Sequence, residues 1–267
     1  MAWKLAMHTG SFGSLPLADA LRVIRDTGWD GVELRHADFA RALDDGALIG
    51  DLLAMVRATG LAVPAVGVER GWVYAEGEER QQFLASITEV CRWAVELDSP
   101  VIMSPMDADP GDLSKAAASV REVGDIVAAH GKTLALELNV NVQQFRTLQA
   151  VRDLLAEAAH PHVGLLVDTY HIERGQGGLE AYQSLRDGEI AYFQYSDVPA
   201  DPMNPPGNTS ERLPPGQGVV PFSEILPIVK AKGYTGFISY EALNQAAFKR
   251  DPFDVSAEAL AASRLLS

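Results

Sequence analysis

Four polar residues close apolar runs in the second half of the chain. Leu134-Ala135-Leu136 leads into Glu137, Leu165-Leu166-Val167 into Asp168, Ala191-Tyr192-Phe193 into Gln194, and Ile238-Ser239-Tyr240 into Glu241. Short apolar runs of this kind read as buried strands. A carboxylate at the end of such a strand is costly unless it is paired or binds a cation. Three carboxylates facing one another repel and raise each other's pKa, a conflict that a divalent cation removes. Three carboxylate oxygens and one amide oxygen form a hard set, which suits Mn²⁺ or Mg²⁺ better than Zn²⁺ and admits Co²⁺. A single acidic residue after a strand is as often a helix N-cap or an ion-pair partner. Four polar residues at consecutive strand ends favour one metal site.

Such a site addresses a definite chemical problem, the removal of a proton from carbon next to a carbonyl. A cation that holds both the carbonyl oxygen and the adjacent hydroxyl stabilises the developing enediolate. One glutamate then takes the proton as general base, and the other can return it to a different face or carbon. Return of the proton to the other face of the same carbon is epimerisation. Return to the neighbouring carbon is aldose–ketose isomerisation, and loss of a β-hydroxyl is dehydration. His171, three residues after Asp168, has two readings, a donor to a substrate oxygen or a group that orients a ligand. His8 ends the first apolar run and could line the same mouth. Trp72, after the third run, could stack on a sugar face or simply pack.

The elements that must position these residues alternate along the chain. Strands are expected at 4–8, 31–34, 62–68, 100–103, 133–138, 163–167, 190–195 and 236–240. Helices are expected at 16–27, 47–59, 78–97, 113–130, 147–159, 170–174, 179–185, 222–232 and 255–266. Several helices stop at glycine (Gly28, Gly60, Gly131, Gly233), where a left-handed residue is needed. Eight strands alternating with helices imply a parallel sheet. No strand is followed by Gly-x-Gly-x-x-Gly, and polar residues end several separate strands, so an α/β (β/α)8 TIM barrel is preferred to an open sheet. The 267 residues form one such domain, 1–267. The segment 197–218, with Pro199, Pro202, Pro205, Pro206, Pro214 and Pro215, is too long for an ordinary connector and reads as a lid or substrate-binding loop.

Composition narrows the function classes. The formal net charge of -14 would repel a polyanion, so nucleic acid is not an expected partner. No apolar run is long enough to span a membrane. Cys91, the one cysteine, lies in an apolar helical pattern and is expected to be a buried thiol. With no disulfide and no secretory signature at Met1-Ala2-Trp3-Lys4-Leu5, a cytoplasmic location is expected. The expected partner is a small sugar, and a homo-oligomer is compatible with this composition.

The motifs resemble a known family. Leu134-Ala135-Leu136-Glu137-Leu138-Asn139, Val167-Asp168-Thr169-Tyr170-His171, Tyr192-Phe193-Gln194-Tyr195-Ser196-Asp197, Arg212-Leu213-Pro214-Pro215-Gly216-Gln217-Gly218 and Ile238-Ser239-Tyr240-Glu241 look like the sugar isomerase/epimerase group of xylose-isomerase-like barrels. That group includes tagatose 3-epimerase, inosose isomerase and dehydratase, and hydroxypyruvate isomerase. Gly28-Trp29-Asp30-Gly31-Val32-Glu33-Leu34 also fits its second-strand pattern. The resemblance implies that Glu137 and Glu241 are metal-bound catalytic glutamates, that Asp168 and Gln194 complete the ligand set, and that His171 contacts a substrate oxygen. Asn139 lies in the first motif and is placed with the substrate residues. Many members have His where this chain has Gln194; hydroxypyruvate and 2-oxo-tetronate isomerases are similar to it in having Gln. The epimerases often carry a glutamate six residues after the first catalytic one, where this chain has Gln143. An arginine expected soon after the seventh-strand ligand is absent from 197–201, and Arg212 is the candidate to replace it.

The leading expectation is therefore a divalent-metal-dependent isomerase or epimerase of a small ketose or keto-acid sugar. The alternative is a dehydratase of a keto-inositol or dehydroshikimate-type substrate on the same scaffold. A DNA-repair endonuclease of this fold needs a trinuclear zinc cluster with extra histidines, where this chain offers Gly67, Val68 and Ser104. A non-catalytic sensor is opposed by the two glutamates and by the lack of a DNA-binding motif.

Overall fold

The computed structural model describes residues 2–107, 110–175, 177–201 and 210–266. Eight parallel strands close into a barrel in sequence order: β1 (Lys4–His8), β2 (Gly31–Arg35), β3 (Ala65–Gly67), β4 (Val101–Pro105), β5 (Thr133–Glu137), β6 (Val163–Asp168), β7 (Ile190–Tyr195) and β8 (Phe237–Tyr240). Pairing of β1 with β8 completes the ring. The crossovers carry α1 (Leu17–Thr27), α2 (His36–Asp44), α3 (Ile49–Ala58), α4 (Gly77–Glu96), α5 (Leu113–Ala129), α6 (Leu148–Ala158), α7 (Thr169–Arg174), α8 (Gly178–Gln183), α9 (Phe222–Ala231) and α10 (Pro252–Arg264). Among the described residues, no helix is long and apolar enough to cross a membrane.

Alternate residues of a strand face opposite sides. Ala65, Val101, Met103, Ala135, Leu166 and Tyr192 pack together inside the barrel. Two residues further along their strands, Glu137, Asp168 and Gln194 face the same way at the C-terminal mouth. A register shift between Leu165 and Leu166 skips Ala191 and sets Asp168 opposite Gln194. The larger apolar cluster lies outside the strands, against the helices. Cys91 is buried there, and burial pushes its thiol up to about 12, which leaves it inert at neutral pH.

Several elements depart from the sequence reading, among them a 3-10 turn at Ala247–Lys249. The third strand is short, because Pro64 has no N–H to donate and leaves Ala62 as an isolated bridge to Gly31. Residues 36–44 form an additional helix, α2, whose first turn is tied down when the Arg35 N–H donates to Asp38 Oδ2 at 3.1 Å. Another 3-10 turn, Thr9–Phe12, follows β1.

One ion pair fastens the outer layer. Arg152 donates to both oxygens of Glu189, at 2.6 and 2.7 Å, with both side chains nearly buried. Burial alone would raise the Glu189 carboxyl, but Arg152 holds it below the ordinary glutamate range. A depressed folded-state pKa adds stability above the unfolded value, near about pH 4, and that stability fades as pH falls through the folded value. Glu189→Gln should therefore be less stable than the wild type near pH 7, in denaturant melts followed by circular dichroism, and the gap should close as pH falls below about 4. Equal stability at pH 7 would refute a stabilising role for the pair.

Candidate metal centre

Glu137 ends β5, Asp168 ends β6, Gln194 lies near the end of β7, and Glu241 directly follows β8. The chain turns straight from Asp168 into α7. Asp168 Oδ1 caps that helix by accepting the Tyr170 N–H at 2.8 Å, so one oxygen meets the N-cap reading while Oδ2 stays turned to the mouth. One helical turn on, His171 comes back over the same site. Its Nε2 lies 3.4 Å from Glu137 Oε1 and 3.9 Å from Asp168 Oδ2. Ligand atoms of Glu137, Asp168 and His171 all fall within 4.8 Å of one another, and all three residues are buried.

Arg212 enters this cluster from the loop after β7. Its Nη1 donates to Asp168 Oδ2 at 2.8 Å and to Glu241 Oε2 at 2.9 Å, and Nη2 lies 3.3 Å from His171 Nε2. The guanidinium sits over the Tyr170 ring, 4.6 Å from its centroid. It therefore answers the charge of the carboxylates themselves. Burial alone would lower the Arg212 pKa, but Asp168, Glu241 and Glu137 hold it above the ordinary value. Burial, then Glu241 and Asp168, raise the Glu137 carboxyl well above the usual range. Burial and then Arg212 push His171 down to about 3, so its imidazole is neutral. His8, 3.6 Å from Glu241 Oε1 through Nδ1, is lowered chiefly by burial.

Gln194 is fully buried, and its Nε2 donates to Glu33 Oε1 at 2.8 Å across the barrel. Its Oε1 has no hydrogen-bond partner, and neither does Glu137 Oε1. Buried polar atoms without partners are rare and costly, so two such oxygens beside further carboxylates fit a cation-binding site. The donors are mostly oxygens, as a hard divalent ion requires. Glu137, Asp168, Gln194 and Glu241 would hold the ion, with the neutral His171 imidazole beside them.

The mouth above opens into a cavity of about 580 Å³. His8, Glu137, Asn139, His171, Arg212 and Glu241 line it, together with Arg35, Arg70 and Asn141. Trp72 is not brought there, so of its two readings the packing one holds and its place among the substrate residues is corrected: its ring is buried, and its indole N–H donates to Ser104 Oγ at 2.8 Å. Arg35, Arg70 and Glu33 escaped the sequence reading. Glu33 carried a usable signal, a carboxylate flanked by Val32 and Leu34 inside a strand. Burial, then the Glu241 charge, raise its carboxyl to about 8.

Of the loop expected at 197–218, residues 202–209 lie outside the described residues. The remainder is stapled by one buried carboxylate. Asp197 Oδ1 accepts the N–H groups of Val198 and Val220, and Oδ2 those of Gly216 and Gly218, at 2.8 to 2.9 Å. A Cβ at Gly218 would come within 2.2 Å of the Val198 carbonyl oxygen, so this close approach needs glycine. Backbone bonds between Asp197 and Leu213, next to Arg212, tie the staple to the site. Asp197→Asn would turn an NH₂ toward backbone donors. The expected cost is about 2–3 kcal/mol, read as a lowered denaturation midpoint at constant slope; an unchanged midpoint would show that the staple adds nothing.

Residues 21–265 match the family model described as xylose isomerase-like TIM barrel. The chain is 25% identical over 236 residues to a 3-dehydroshikimate dehydratase of Pseudomonas putida, covering 87% of this chain but 36% of that protein. It thus spans about a third of that relative's length. It is also 25% identical to a 3-dehydro-D-guloside 4-epimerase of Escherichia coli, covering 97% of this chain and 98% of that protein. Among solved structures, the IOLI protein with a bound zinc atom superposes with a TM-score of 0.84 at 16% identity, covering 98% of this chain and 97% of that one. Both curated relatives are named enzymes. A closed eight-stranded barrel, with nearly the whole chain matched by one family model, places this protein in the xylose isomerase-like TIM barrel family.

Proposed function

We propose that the protein is a divalent-metal-dependent isomerase or epimerase of a small ketose or keto-acid sugar. The observation that carries this reading is the pair Glu137 and Glu241, two carboxylates that line one cavity from the non-adjacent strands β5 and β8. A bound divalent ion, Mn²⁺ or Mg²⁺ by ligand chemistry, would supply Lewis acidity at a carbonyl oxygen and its neighbouring hydroxyl. The IOLI protein, a barrel of the same fold, was solved with a zinc atom, which supports a divalent metal in a protein of this kind. Glu241, paired with Arg212, takes the proton on carbon. Glu137, whose carboxyl is raised by burial and by its neighbours, delivers one from the opposite side. His171, neutral and fixed by the Val140 N–H at Nδ1, is placed to hold a substrate oxygen.

A second reading, dehydration of a keto-inositol or dehydroshikimate-type substrate, is favoured by the match to the Pseudomonas putida dehydratase. Arg70 on the cavity wall favours it too, since a guanidinium recognises a carboxylate, whereas Arg35 beside it is already paired with Asp38. Incubation of the Mn²⁺-loaded protein in D₂O with ketoses, keto-sugars and 3-dehydroshikimate separates the two. Deuterium at the carbon next to the carbonyl, with a new epimer or isomer by NMR, supports the first; a new ultraviolet band from conjugation supports the second. No deuterium incorporation and no product from any substrate would remove both.

A further inference from the structure

We propose that Glu33 is a positioning residue that sets which end of the Gln194 amide faces the metal centre. The proposal rests on the metal-centre reading above. The two ends of a glutamine amide are nearly identical in shape, and only the oxygen can bind a cation. Packing alone therefore leaves Gln194 free to present NH₂ to the ion. Glu33 removes that freedom. It projects from β2 on the far side of the barrel and is fully buried. Its Oε1 accepts from Gln194 Nε2 at 2.8 Å, and its Oε2 accepts from the Tyr192 hydroxyl at 3.2 Å. Tyr192 and Gln194 are alternate residues of β7, so one carboxyl grips two successive inward positions of that strand. The Gln194 oxygen is left with no partner in the protein.

A carboxyl has no packing advantage at this depth. The neighbouring inward positions are filled by Ala65, Val101, Met103, Ala135 and Leu166, which do the same job without a desolvation cost. What Glu33 adds is an acceptor, and a carboxyl keeps one in either protonation state. Groups of this kind, which orient a ligand from behind, typically govern metal affinity by about 10- to 100-fold.

The test is Mn²⁺ binding to metal-stripped protein, measured by electron paramagnetic resonance of the free ion. The proteins are wild type, Glu33→Met, Glu33→Gln, Gln194→Ala and Glu33→Met/Gln194→Ala. Glu33→Met is expected to weaken Mn²⁺ by about 10- to 100-fold, whereas Glu33→Gln, which keeps an acceptor oxygen, stays close to wild type. On the Gln194→Ala background, Glu33→Met is expected to cost nothing more. Wild-type affinity in Glu33→Met, or an equal loss on both backgrounds, overturns the proposal. Should Glu33→Met not fold, a crystal structure of the Mn²⁺-loaded wild type decides: Oε1 of Gln194 on the ion with Nε2 on Glu33 supports it, and an amide turned away from either overturns it. Wild type that binds no Mn²⁺ would instead end the metal-centre reading, and this inference with it.

Discussion

Glu137→Gln should lose about 10²- to 10⁴-fold in kcat, while the metal-free protein becomes more stable. The amide keeps the shape of the side chain and one oxygen for a cation but can neither store nor deliver a proton. Glu241→Gln should be impaired to a similar degree, because two opposed carboxylates are needed to take a proton from one position and return it at another. The stability gain has a separate cause. Glu137 is buried against Asp168 and Glu241, and its carboxyl is raised well above the usual range. A carboxyl whose folded-state pKa lies above its unfolded value costs stability once pH rises past the unfolded value. The gain from Gln should therefore be present at pH 7 and vanish near about pH 4. Initial rates on whichever substrate turns over, with thermal melts of chelator-treated protein at the two pH values, check both parts. Full activity in either glutamine variant would end the two-carboxylate mechanism, and a destabilised Glu137→Gln would contradict the electrostatic account.

Arg212→Met should cost the metal-free protein about 3–5 kcal/mol, the usual result of removing one partner from a buried charge cluster. Arg212 Nη1 is shared between Asp168 and Glu241, both buried, at 2.8 and 2.9 Å. Without it those carboxylates lose their counter-charge. On the proposed metal site, a divalent ion held by the same carboxylates would replace that charge, so saturating Mn²⁺ should return most of the lost stability. Binding to the folded state alone adds about 2.7 kcal/mol at a hundredfold excess over Kd. Denaturant melts of wild type and variant, with chelator and with Mn²⁺, test this. An Arg212→Met cost that is the same in both conditions would mean that the guanidinium and the ion do not answer the same charges.

The four strand ends could be read in the sequence because each belongs to a local pattern. An apolar run that stops at a carboxylate or amide is visible within five residues, and parallel crossovers put every C-terminal strand end on one rim. His171 was visible for the same reason, one helical turn beyond Asp168. Other parts of the site depend on contacts that local patterns do not encode. Arg212 meets Asp168 across 44 positions of chain, and the sequence placed it near the substrate and not between the carboxylates. Glu33 meets Gln194 across 161 positions. Trp72 follows a strand end, as a sugar-stacking residue would, but the loop turns its indole into the core toward Ser104. The N-cap and ion-pair readings of a strand-end carboxylate both hold at Asp168, where Oδ1 caps α7 and Oδ2 pairs with Arg212.

What the sequence by itself determined was the alternation of eight strands with helices and the polar residue at the end of each of the last four. Hydrophobic periodicity and chain connectivity dictate both within short windows. Tertiary structure alone decided which charges neutralise one another, which way the Gln194 amide points, and which candidates reach the cavity. Those outcomes follow from closure of the barrel, which brings β2 face to face with β7 and carries the loop of Arg212 over the mouth. Electrostatic energy depends on distances of a few ångströms, and only closure sets distances between residues so far apart in the chain.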